Sequence, residues 1–170
     1  MPESTVVKNK RDGTIEFSDG SVVPLTFEVA FEAGDLSLTI PGTTVSNYLD
    51  RGTMVPSLRL VDDQPITGSF TAYLRDFSDA TYATLMELIT LTGDVGANWI
   101  STGTATPGPG VIADVFTVNL KWTVAGVIHG DVSDHIIELA FVHLTGATSE
   151  GDPDTITINF TSYTVYPTVT

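Results

Sequence analysis

The sequence predicts a mainly β fold, an antiparallel meander that carries a single helix. Apolar and polar residues alternate with period two over most of the chain, and turn residues punctuate that alternation at short intervals. One stretch, SDATYATLMELITLTGD from Ser78 to Asp94, leaves the alternation for helical spacing.

The strands follow from the alternation. In PLTFEVAF, Leu25, Phe27, Val29 and Phe31 share a face opposite Thr26, Glu28 and Glu32, and DLSLTI repeats the pattern with Leu36, Leu38 and Ile40. ITGSFTAYL places Ile66, Phe70, Ala72 and Leu74 against Thr67, Ser69, Thr71 and Tyr73. VFTVNLKWTV aligns Phe116, Val118, Leu120, Trp122 and Val124, which puts Trp122 in the core, and TITINFTSY aligns Ile156, Ile158 and Phe160. The abundant Thr and Val suit a pleated, half-buried surface. In HIIELAFVHL both parities are apolar, with Ile137, Leu139 and Phe141 opposite Ile136, Ala140, Val142 and Leu144. Such a strand is expected to be covered on both faces, by two layers of its own domain or by a neighbouring subunit.

Turn chemistry separates these runs. Ser18-Asp19-Gly20-Ser21 and Ala33-Gly34-Asp35 read as tight turns. Gly126 to Asp134 joins two long strands, and Glu150-Gly151-Asp152-Pro153-Asp154 opens the last one. Two connections, Pro41 to Pro56 and Thr102 to Gly110, are long enough to imply a function or disorder. Ser78 is the expected N-cap of the helix, Asp79 suits its first turn, and Gly93 is its expected end. Tyr82, Leu85, Met86 and Ile89 form its apolar stripe, widened by Leu88 and Leu91, and Glu87 is the lone charge between Ala80 and Thr92. So narrow a polar face fits a helix plugging the β core, or one that also touches a neighbouring chain.

The 170 residues fit one domain, 1–170, with no internal repeat, and can bury a core without staples. The absence of cysteine excludes disulfides, thiolate metal sites and a cysteine nucleophile. The first residues lack an apolar signal core, and no run approaches the roughly 20 apolar residues of a membrane span. A soluble protein without a membrane partner or a secretory signal is expected. Seven basic against 21 acidic residues leave a net charge of −14, and every basic residue except Lys121 lies at or before Arg75. Such a surface gains little from releasing DNA counterions and disfavours nucleic-acid binding. The acidity serves solubility, or it repels DNA that must slide past.

Little in the sequence carries chemistry. His135 and His143 are eight residues apart, about 26 Å along an extended strand, and cannot share a metal. His129, Asp131, Asp134 and His135 cluster at a turn and read either as hairpin polarity or as ligands for a divalent ion. Asp62-Asp63 and EGDPD lack the ligand spacing of a calcium loop. No nucleophile elbow, zinc-protease, phosphate-loop or dinucleotide motif is present, and no Ser or carboxylate pair stands out. The expectation is a non-enzyme without cofactor or metal.

Three blocks in order resemble a known family. They are KNKRDGTIEFSDGSVVPLTFEVAFEAGDLSL, SLRLVDDQPITGSFTAYLRDFSDATYATLMELI and HGDVSDHIIELAFVHLTGATSEGDPDTITINF. Together they are similar to the tail tube (major tail) proteins of long-tailed bacteriophages over most of residues 8–165. Element order and spacing carry the match: an N-terminal hairpin, a strand leading into a helix, then a late hairpin, an EGDP turn and a final strand.

The resemblance implies an antiparallel β-sandwich or half-barrel with one α-helix packed on the outside. It implies homohexameric rings stacked into a virion tail tube, built in the host cytoplasm, through which the genome passes without specific binding. Terminator, tape measure and distal tail proteins are the implied further partners. The segment 41–56 would reach the adjacent ring, placing Tyr48 and Arg51 at contacts, and the arm 1–12 would bring Lys8, Lys10 and Arg11 to acidic surface on the next subunit. On the helix, Tyr82, Leu85, Met86 and Ile89 would pack on the sandwich while Thr84 and Glu87 lie near the neighbouring protomer. An inner tube protein of a contractile or secretion apparatus has a similar fold. The alternative is a ligand-binding β-sandwich of carbohydrate-binding type, for which Trp99 with Tyr48 or Trp122 are the candidate platform aromatics.

Overall fold

The computed structural model describes residues 13–29, 35–42, 45–50, 53–60, 64–75, 77, 82–103, 115–164 and 166–170, with backbone alone for 45–50, 53–60 and 129. The described strands are β1 (Gly13–Ser18), β2 (Thr26–Val29), β3 (Ser37–Thr39), β4 (Val45–Asp50), β5 (Thr53–Leu60), β6 (Ile66–Tyr73), β7 (Val118–Val124), β8 (His135–Ser149), β9 (Thr155–Ser162) and β10 (Thr168–Val169). Two short helices, α1 (Leu85–Thr90) and α2 (Gly93–Asn98), lie between β6 and β7. The fold is mainly β, with one eight-stranded antiparallel sheet in the order β2-β1-β7-β8-β9-β6-β3 and β10 added on β8. That architecture is consistent with the expected sandwich or half-barrel.

The 15-residue β8 organises this sheet. Its first half pairs with β7, from Val124↔His135 to Val118↔Val142, and its second half pairs with β9, from Val142↔Ser162 to Ser149↔Thr155. Between the halves the register slips against β7, and Phe141 takes a left-handed backbone with φ 52°. This bulge explains the two apolar parities: Leu139 is buried before it and Val142 and Leu144 after it, while Phe141 is turned outward. The inward face therefore changes parity at the bulge, so residues of both parities reach the core along one strand. Ile136 and Ile137 are only half-buried, and β10 flanks them.

The core lies between the two halves of this bent sheet. Ile15, Phe17, Val118, Leu120, Trp122 and Val124 come from one half, and Ile66, Phe70, Ala72, Ile156, Ile158 and Phe160 from the other. Phe17 and Phe70 meet across it with ring centroids 6.2 Å apart. The sequence parities of β6, β7 and β9 match this burial. The opposite face of β1 and β7 is polar and half-exposed, and there Lys121 Nζ stands 3.8 Å from Glu16 Oε1, directly across the pairing.

The helical segment differs from the single helix expected. The first turn is capped by Thr84, whose Oγ1 accepts the Glu87 N–H at 3.2 Å and donates to the Phe77 carbonyl at 3.2 Å. The expected cap, Ser78, lies outside the described residues. Helix α1 ends at Leu91, which adopts φ 54° while the Glu87 carbonyl accepts the N–H groups of Leu91 and Thr92. Gly93 begins α2 instead of closing α1. Leu85, Leu88, Val95 and Trp99 are buried, and Ile89 seats against Gly146, where an added Cβ would collide with its Cδ1. Tyr82, expected on the core side, is 72% exposed.

Residues 41–56, read as a long connection, contain most of an antiparallel hairpin. Strands β4 and β5 pair from Val45↔Leu60 to Asp50↔Thr53, with an irregularity between Asn47 and Leu49, as a separate two-stranded sheet.

Candidate assembly surfaces

Among the described residues, no group of three or more His, Cys, Asp or Glu side chains is placed to hold a metal ion. Asp131, Asp134 and His135 are used to build the β7–β8 turn, while the His129 side chain lies outside the described residues. Asp134 Oδ1 accepts the N–H groups of Gly126 at 2.8 Å and Val127 at 3.2 Å, and His135 Nε2 lies 2.7 Å from Asp131 Oδ2. The Asp131 N–H donates to the Gly126 carbonyl at 3.0 Å. A single 3-10 turn, Val127–His129, completes the connection. On this scaffold Val127, Ile128 and Val132 are exposed, Val132 to 98%.

A second built loop joins β1 to β2. Asp19 is 1% exposed and is its hub: Oδ1 accepts from Ser21 Oγ at 2.8 Å and the Leu25 N–H at 2.8 Å, and Oδ2 accepts the Ile100 N–H at 3.1 Å. Burial alone would raise the Asp19 pKa, but the Ser21 hydroxyl and the backbone N–H groups of Ile100, Leu25 and Ser21 outweigh it and hold the carboxyl below the usual range. The Asp19 N–H donates to the Leu25 carbonyl and the Gly20 N–H to that of Ile100, closing the loop against the chain after α2. Gly20 approaches so closely that a Cβ there would lie 2.6 Å from the Ser101 carbonyl oxygen. From this base project Val22, 102% exposed, and Val23, beside the exposed Ile100 that is bonded to Asp19 and Gly20.

An apolar groove of about 550 Å³ lies between β2, the end of β6 and the start of α1, lined in part by Phe27, Val29, Leu74, Tyr82 and Leu85. Among the described residues, strand β2 is one edge of the eight-stranded sheet and β3 the other, and no described strand pairs with their outer sides. Phe141 at the bulge, Tyr163, whose N–H donates to the Phe141 carbonyl, Tyr166 and Val169 are further exposed side chains. Scattered apolar residues are ordinary on any surface, but grouped ones mark contact sites.

The contact residues expected from sequence have mixed positions. Lys8, Lys10, Arg11 and Arg51 lie outside the described residues, and Tyr48 is described only as backbone in β4. Thr84 is half-buried and occupied as the α1 cap. Glu87, expected toward a neighbouring protomer, is 0% exposed, with its carboxyl against Gly93. The fold of α2 back over α1 turns that face inward. Trp99 and Trp122 are both buried, so neither offers the open aromatic platform of the carbohydrate-binding alternative. Sequence reading passed over Val22, Val23, Val127, Ile128 and Val132. Their signal was an apolar pair or single inside segments otherwise made of Gly, Asp and Ser.

No family model matches the chain, and no curated protein matches it in sequence. Among solved structures it is similar to a chain in the cryo-EM structure of the anti-feeding prophage (AFP) baseplate, 6-fold symmetrised. The two align over 100% of this chain and 97% of that one, with 12% sequence identity and a TM-score of 0.52. At that identity the likeness is one of fold.

Proposed function

We propose that the chain is a structural, non-catalytic subunit of a phage-tail-like particle, and specifically a tail tube protein. The observation that carries this reading is the end-to-end fold likeness to a chain of the AFP baseplate. It agrees with the tail tube resemblance of the sequence, which rests on independent features. In this reading the chains close into homohexameric rings, the rings stack, and the lumen conducts DNA that a net charge of −14 discourages from sticking. Ring closure would pair or cover the outer edges that β2 and β3 present among the described residues. The assembled tube would meet terminator, tape measure and distal tail proteins within the virion.

The test is negative-stain microscopy of concentrated purified protein beside analytical ultracentrifugation. Rings or hollow tubes are expected above a threshold concentration. A chain that stays monomeric at every concentration overturns the reading.

A further inference from the structure

The two built loops lie at opposite ends of the same strands. Strand β1 runs beside β7 with Gly13 opposite Val124 and Ser18 opposite Asn119. The β1–β2 loop therefore leaves the sheet at the start of β7, and the β7–β8 turn leaves it at the end. Five residue steps of strand separate the bases of the two loops by about 17 Å. One end displays Val22 and Val23 beside Ile100, which is bonded to Asp19 and Gly20; the other displays Val127, Ile128 and Val132.

We infer that these ends are a head-to-tail contact between copies of this chain, with the Val22–Val23 tip of one copy set against the Val127, Ile128 and Val132 turn of the next. This deepens the tube reading and rests on it. Three observations select a second copy as the occupant. The first is charge: copies with a net charge of −14 repel unless they meet where acids are withdrawn or tied down. At one end Asp19 is buried and fully engaged; at the other the acids stay at the surface but are tied down, the half-buried Asp131 to His135 and the exposed Asp134 to the N–H groups of Gly126 and Val127.

The second is rigidity. Both tips are held by carboxylate-to-backbone bonds, so little further ordering is needed on docking. The third is size. A few apolar side chains fall well short of the roughly 1,200–2,000 Å² that a stable free-standing interface buries. A partner met once would not be held by either tip alone, whereas copies arrayed side by side repeat the contact and gain avidity. Both tips are used in every copy by one interface type only if the arrangement is head-to-tail, which yields an open stack.

The absence of cysteine makes the test free of background. Val22→Cys, Ile128→Cys and Val132→Cys are prepared singly, with Val22→Cys/Ile128→Cys and Val22→Cys/Val132→Cys as doubles. Each is treated with a short bis-maleimide at concentrations where the wild-type chain assembles. A denaturing gel is expected to show a ladder of linked chains for at least one double, and monomer for each single. Linked dimers from a single variant, or doubles that stay monomeric although microscopy shows them assembled, overturn the contact while leaving the tube reading intact. Val22→Asp/Val23→Asp is the second arm. It should raise the threshold concentration for assembly at least tenfold with unchanged thermal unfolding, and an unchanged threshold counts against the contact. If the unmodified chain never assembles, the tube reading fails and this contact with it.

Discussion

Asp19→Asn is the most informative single change to the fold. The carboxylate accepts bonds from the Ser21 hydroxyl and from the N–H groups of Leu25 and Ile100. An amide keeps one acceptor, so one backbone N–H is left facing an NH₂ group. Hydrogen bonds to a charged acceptor contribute about 1.5–3 kcal/mol each against about 0.5–1.5 for neutral ones. Losing one and weakening two, with water compensating part of the loss at a surface loop, comes to about 2–4 kcal/mol. With a slope near 2 kcal/mol per molar urea, the midpoint should fall by about 1–2 M at pH 7. The folded-state pKa of Asp19 is lowered, so its contribution is complete above the unfolded value near 3.9 and is lost as pH falls through the folded value. Urea titrations of both proteins from pH 7 to pH 3 should therefore converge below about pH 4. A midpoint unchanged at pH 7, or a gap that stays constant down to pH 3, refutes the reasoning.

Other changes probe the remaining joints. Gly146→Ala should cost about 1–3 kcal/mol because the new methyl meets Ile89, and adding Ile89→Val should restore part of it in a double-mutant cycle. Leu88→Ala removes a buried anchor of α1 and should cost about 2–5 kcal/mol in the same denaturation assay. Phe141 is exposed and left-handed, so Phe141→Gly should equal or exceed the wild type by up to about 1 kcal/mol, with Phe141→Ala below it. Thr84→Ala should cost about 0.5–2 kcal/mol by uncapping α1, measured as a loss of thermal stability.

Most of the sheet was legible because its inward positions keep strict alternation. Strands β6, β7 and β9 each expose one parity to the core, and period two suffices to find them. Strand β8 was read differently because a bulge adds one residue to the phase, and apolar residues on both parities then mimic two buried faces. The helix was legible as a location and not as a shape. Its break depends on Leu91 entering the left-handed region and on α2 folding over Glu87, a tertiary arrangement that no local propensity encodes. Thr84 shows the same difficulty at the candidate interface, since its hydroxyl serves the α1 cap. An Arg there would test the cap and any contact together. The valines of the two loops carry no periodicity, so only their exposure on an anchored scaffold distinguishes them.

The pairing order also sets a schedule for synthesis. Strand β1 is flanked on one side by β7, and β6 on one side by β9, so strands made early wait for partners made after Val118. Among the described strands β8 is the one that joins the two half-sheets, so the core closes only after it emerges. Contacts so distant in sequence make folding slow and leave strand edges open on the ribosome. For a chain that stacks on itself, this delay has a use. Under the proposed contact, the Val22–Val23 tip gains its anchor to Ile100 only after residue 100 is made, and the turn set against it is made later still.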